Sequence, residues 1–154
     1  MATSFDESYP FDSGDGSGSG ENRWAVMGRF FRQTGVIPSA ELADLSIANE
    51  LEAYADGSGM NVKIKSGLAF VQGFIGRNNS TKTLSISTSD PTNDRIDLVV
   101  ARLNRTGDDS IVEFDILIGT PGATPVAPTP TQSSATWEVE LAEVYVTAAV
   151  TSIA

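Results

Sequence analysis

Asp94-Arg95-Ile96-Asp97-Leu98-Val99-Val100-Ala101-Arg102-Leu103 is the stretch that decides the fold of this chain. Ile96, Leu98 and Val100 point to one side of an extended segment, and Val99 and Ala101 to the other. A strand that is apolar on both faces must be covered on both, so this one belongs in the middle of a sheet. Charged residues are set into its two ends. Thr106 to Asp109 reads as a turn, and beyond it Val112, Phe114, Ile116 and Ile118 alternate with Glu113 and Asp115. The two runs predict a hairpin.

The same period of two extends upstream. Met60, Val62 and Ile64 alternate with Asn61, Lys63 and Lys65, a strand with one wet face. Ser66-Gly67 is expected to turn it into a strand from Leu68 to Val71 that continues to Phe74-Ile75. Gly76 to Lys82 reads as a polar turn, and Thr83 to Ser87 as a short strand ended by Asp90-Pro91-Thr92-Asn93. Between Glu41 and Asp56, Leu42, Leu45 and Leu51 permit a helix, whereas alternation from about Glu50 favours a strand turned by Gly57-Ser58-Gly59. Downstream, residues 119–136 carry Pro121, Pro125, Pro128 and Pro130, which favour extended polyproline geometry. Such a crossover can run from one sheet to another. Trp137, Val139 and Leu141 then alternate with Glu138, Glu140 and Ala142 in a last long strand toward Val146.

The expected fold is therefore mainly β: an antiparallel β-sandwich or small barrel. A short helix over 21–32 precedes it, because Trp24, Met27 and Phe31 fall on one helical face with Phe30 beside them. Such a stripe serves either the core or a subunit interface. Residues 1–20 form an extended arm. Phe5, Tyr9 and Phe11 lie ahead of a Gly/Ser run at 13–20 that behaves as a flexible coil. Aromatics are depleted in disordered tails, so a docking arm stands beside the plain alternative of a solvated tail.

Composition narrows the function. A chain of 154 residues is one domain by default and buries about 70% of its unfolded surface. It has no Cys and no His, so disulfides and the usual zinc, iron and copper ligand sets are excluded. The net charge is -10, with all ten bases between Arg23 and Arg105. Residues 1–22 carry five acids and no base, and seven acids follow Arg105. Neither nucleic acid nor an anionic membrane is an expected partner, since both need clustered basic residues. No secretory leader and no apolar run of about 20 residues is visible, so a soluble product of a host cytoplasm is expected. The sequons at Asn78, Asn79 and Asn104 are then chance matches.

No catalytic constellation stands out, and neither enzymatic activity nor a cofactor is expected. Asp94 and Asp97 point to opposite faces of their strand and cannot work locally as a carboxylate couple. The serines lack a nucleophile elbow and a His base. The glycines at 14–20 fit neither dinucleotide nor phosphate-loop spacing. Asp12 to Gly16 lacks the terminal Glu of a calcium loop, so no metal site is expected. Arg95, Asp97 and Arg102 are expected to be structural, as ion pairs or as donors to turn carbonyls.

Several separated blocks together resemble a known family. They are Trp24-Ala25-Val26-Met27, Gly35-Val36-Ile37, Met60 to Gly67, Arg95 to Leu103, Gly119-Thr120-Pro121 and Trp137 to Ala142, in that order. Their order is similar to that in the N-terminal adaptor, or shoulder, domains of bacteriophage tail, baseplate and fibre proteins, many from phages of actinobacteria. The resemblance covers about 120 residues. It implies a sandwich that forms a homotrimer in the virion, fixes a fibre or receptor-binding region to the tail or baseplate, and is linked only indirectly to a host receptor. Relatives often continue beyond the point corresponding to Ala154, so this is either a short version or the ordered part of a longer product. A capsid-surface fibre or decoration protein is the rival within the structural class. A carbohydrate- or receptor-binding module using Tyr54, Trp137 or Tyr145 is the rival outside it.

Overall fold

A computed structural model describes residues 28–41 apart from 30, together with 48–106 and 110–154. The protein is mainly β, with its strands in three antiparallel three-stranded sheets. In chain order the strands are β1 (Gly35–Ile37), β2 (Ala53–Tyr54), β3 (Asn61–Ile64), β4 (Gly67–Val71), β5 (Phe74–Asn78), β6 (Lys82–Ser85), β7 (Arg95–Asn104), β8 (Ile111–Leu117) and β9 (Thr136–Val146). The sheet orders are β1-β4-β5, β2-β3-β6 and β8-β7-β9. A 3-10 turn over Ser39–Glu41 follows β1.

The apolar doubling of the quoted stretch has the expected result: β7 is the central strand of the longest sheet. Val99, Ala101 and Leu103 point inward and join Val62 and Ile64 of β3 and Ala69 and Val71 of β4 in one buried cluster. The two smaller sheets thus form a second layer over the β8-β7-β9 sheet, and the core lies between the layers. Ser66-Gly67 carries the chain from one small sheet into the other. Gly67 is required there because a Cβ would lie 2.6 Å from the Leu51 nitrogen. A minor cluster, Ile37, Leu68 and Phe70, occupies the far face of β4.

Four sequence expectations need correction. Leu68 to Ile75 is not one strand, and Gly76 to Asn78 is not a turn. The chain reverses at Gln72-Gly73, where both residues have positive φ (51° and 94°), and Gly76 to Asn78 then pair with β4. Such a primed two-residue turn matches the twist of its flanking strands. The strand expected from Glu50 is shorter, covering only Ala53–Tyr54. The proline-rich crossover does not pass between sheets, since it leaves β8 and returns as β9 on the other edge of the same sheet.

That crossover must pass over β7, and the inner side is filled by the core. Its Gly122 N–H donates to the Asp94 carbonyl at 2.9 Å, and the Glu138 N–H donates to the Thr131 carbonyl at 2.9 Å. The segment therefore crosses the outer face of the sheet from the β8 side to the far edge of β9, and Leu98 and Val100 on that face of β7 are buried although they belong to neither apolar cluster.

β9 carries a bulge. Val99 faces Ala142 while Val100 faces Glu140, which leaves Leu141 unpaired. Ahead of the bulge Trp137 and Val139 pack on the core, and beyond it Ala142, Val144 and Val146 do so. The extra residue switches the inward parity from odd to even.

Of the helix expected over 21–32, only the end falls within the described residues. Gly28, Arg29 and Phe31 have helical backbone, and the Arg32 N–H donates to the Gly28 carbonyl at 3.1 Å.

Candidate functional site

Two charged clusters sit along β7. Arg95 and Asp97 share its inner face at the N-terminal end, and both are buried. Arg95 Nε donates to both Asp97 oxygens, at 2.9 and 3.1 Å. The Arg95 guanidinium also donates to the carbonyls of Ser87 and Thr88, the latter at 2.7 Å. Asp97 Oδ1 accepts the Gly119 N–H at 2.9 Å. One ion pair thereby joins the segment after β6, the central strand and the start of the crossover. Gly119 cannot carry a side chain, because its Cβ would overlap the Ile96 carbonyl.

Arg102 lies at the other end, on the outer face. Its Nε donates to Glu138 Oε1 of β9 at 2.7 Å, and Nη1 pairs with Asp115 of β8. Glu138 is only 2% exposed, and its second oxygen accepts the Thr131 N–H at 2.6 Å. A carboxylate held by arginine thus fixes each end of the crossover: Asp97 at Gly119 and Glu138 at Thr131. The buried role of Glu138 had no signal in the local sequence, where it reads as the wet side of an alternating strand.

Asp94 faces away from Asp97. It accepts from the Tyr145 hydroxyl at 2.6 Å and the Ala148 N–H at 2.7 Å. These two donors hold its carboxyl below the ordinary range, and the same contact with Asp94 raises the Tyr145 phenol. Asp94 and Asp97 do not converge on a cleft. Among the described residues no group of three or more His, Cys, Asp or Glu is arranged to hold a metal.

Grooves open where the layers end. One of roughly 230 Å³ lies between the edge strands β2 and β9, with Tyr54, Tyr145 and Glu143 around Ala53, Ala55 and Ala142. A second, of roughly 390 Å³, is lined by Arg29, Gln72, Arg105, Gln132, Ser133 and Trp137. Trp137 is half-buried, pairs with Leu103 and packs on the core while forming one wall of that groove. The three aromatics singled out as a binding platform are thus divided, with Tyr54 and Tyr145 together and Trp137 apart.

Phe31 is 80% exposed and takes no part in either apolar cluster. Phe5, Tyr9, Phe11, Trp24, Met27 and Phe30, the other anchor or interface candidates, lie outside the described residues, as does the arm over 1–20. No helix among the described residues is long and apolar enough to cross a membrane. No family model, no curated protein and no solved structure matches this chain.

Proposed function

We propose that this protein is a structural part of a bacteriophage particle, an oligomeric adaptor that attaches a fibre or receptor-binding assembly to the tail or baseplate. The observation that carries the reading is the coincidence of the family-like blocks with the framework of the sandwich. Arg95 to Leu103 is the central strand with its ion pairs, Gly119 to Pro121 starts the clipped crossover, and Trp137 to Ala142 contains the buried glutamate and the bulge. Residues that hold a scaffold together, with no converging acid–base set among those described, fit a component whose work is to be a rigid connection. The exposed Phe31 supports an interface beside the N-terminal segment.

In this reading residues 1–32 anchor the domain to a neighbouring virion protein, with Phe5, Tyr9 and Phe11 filling pockets or their backbone adding to a sheet edge. Three copies share an interface that stabilises each of them. Deleting residues 1–20 tests the anchor: the truncated chain remains a folded oligomer and fails to enter particles. Normal incorporation of the truncated chain overturns the assignment, and a monomeric mass in solution overturns the trimer.

A second reading, a carbohydrate- or receptor-binding module, is favoured by one observation, the pairing of Tyr54 and Tyr145 in a single groove with Glu143. Glycan-array binding that is lost in Tyr145→Ala separates it from the adaptor.

A further inference from the structure

The hydrogen-bonding direction of β8 can be read from its neighbours. The Glu138 N–H turns away from β7 to reach the Thr131 carbonyl, so the odd residues of β7 bond toward β9 and its even residues toward β8. Through the pairs Val100↔Asp115 and Arg102↔Glu113, the odd residues of β8 are then the ones bonded to β7. Val112, Phe114 and Ile116 direct their N–H and carbonyl groups outward from the sheet edge. Ile116 agrees independently, because its N–H is taken by the side chain of Asp115 at 2.8 Å.

Edge strands are normally blunted by shortness, lysine, proline or a bulge. Among the described edges, β1 and β2 have three and two residues, β6 begins with Lys82, β5 contains Gly76 and Arg77, and β9 has its bulge. β8 has no lysine, proline or bulge; its charges are the acids Glu113 and Asp115, and β5 packs beside only its Val112 end, at Gly76. β8 runs seven residues in unbroken register, Ile111-Val112-Glu113-Phe114-Asp115-Ile116-Leu117. Beside it, between β6 and β8, lies a groove of roughly 250 Å³ lined by Leu84, Phe114, Ile116 and Ile118 with Ser85 and Ser87.

We propose that the β8 edge is a strand-docking site for another protein, one that supplies an extended segment with apolar and basic residues in alternation. The apolar side chains enter the groove beside Phe114 and Ile116, and the basic ones stand outside against Glu113 and Asp115. Main-chain bonds to Val112 and Phe114 hold the register, as in other cases of strand addition. A second copy of β8 is the wrong occupant. Antiparallel pairing centred on Phe114 sets Glu113 opposite Asp115, in-register parallel pairing sets Glu113 against itself, and facing like charges destabilise. Glu113 makes no ion pair within the described molecule and is exposed, whereas Asp115 is already tied to Arg102.

The test uses the full chain and a capped eight-residue peptide of alternating lysine and valine, read by amide hydrogen exchange. The control peptide has the same composition in two blocks. The alternating peptide slows exchange at Val112 and Phe114, the block peptide does not, and Glu113→Lys weakens binding about tenfold, with Glu113→Gln intermediate. The proposal is overturned by unchanged exchange at β8, by equal protection from both peptides, or by full affinity in Glu113→Lys. Protection that grows with protein concentration alone also overturns it, because the edge is then filled by a second copy.

Discussion

Arg95 illustrates how much one side chain can organise when it is taken out of water. Its charge is matched by Asp97 and its remaining donors by the Ser87 and Thr88 carbonyls, so the group is satisfied only if these three positions meet it together. Arg95→Ala leaves the Asp97 carboxylate buried with the Gly119 N–H as its remaining partner, and loses about 3–5 kcal/mol of stability by chemical denaturation. Arg95→Met combined with Asp97→Leu loses less than Asp97→Leu alone, since two apolar groups replace the pair without an orphaned charge. The sequence marks Arg95, Asp97 and Arg102 because charges inside an apolar strand need partners. It cannot mark Ser87, Thr88 and Gly119, which act through backbone atoms common to every residue.

At the level of elements, alternation was legible where a strand has one environment along its length, as in β3 and β7. It failed where a single residue changes the geometry. Gln72-Gly73 is not among the commonest turn pairs, and Gln72 is held in its positive-φ state by partners distant in sequence. Thr34 Oγ1 accepts its N–H at 3.0 Å, and Arg29 donates to its side chain at 2.9 Å. The β9 bulge was equally hidden, since Trp137 to Leu141 alternates correctly up to the slip. Deleting Leu141 restores a straight ladder in which Glu140 still faces Val100, Val139 still faces Ala101 and Trp137 still faces Leu103. The deletion protein is expected to keep its cooperative thermal transition, whereas removing Glu140 as well sets Val139 opposite Val100, turns Trp137 and Val139 outward and abolishes it. A cooperative melt in the double-deletion protein contradicts the parity argument.

For the molecule as a whole, acid is the expected weakness. Lys63 and the Ser58 donors hold Asp56 well below the usual carboxylate range, the Thr92 and Asn93 N–H groups lower Asp90, and Tyr145 with the Ala148 N–H lowers Asp94. Glu52 is lowered by the backbone N–H groups of Glu50 and its own residue. For each, the unfolded chain takes up a proton first as pH falls. The stabilisation is therefore complete above the ordinary carboxylate range near pH 4 and is lost as pH drops through the folded values. Thermal midpoints are expected to fall steadily below about pH 4. The decline should be shallower in ~1 M salt, because these groups are at the surface. A midpoint unchanged down to pH ~2.5 removes these contacts from the account of stability. Tyr145 acts at the opposite limit, contributing below the ordinary tyrosine range and losing that contribution as alkali ionises it. At this scale the sandwich class was legible from strand number and turn spacing. The division of one layer into two sheets was not, because pairing partners are chosen across the whole chain.

The order in which the long sheet is completed has a consequence for synthesis. The central strand leaves the ribosome with β8 close behind it, but its second neighbour comes only after the eighteen positions from Ile118 to Ala135 have been made. Until then Leu98 and Val100 lack the strap that covers them, and the far side of β7 is an open, oily margin. Nascent chains halted within the proline-rich run are therefore the ones that should cling to chaperones or to each other, and release follows when the bulged strand arrives and closes the sheet.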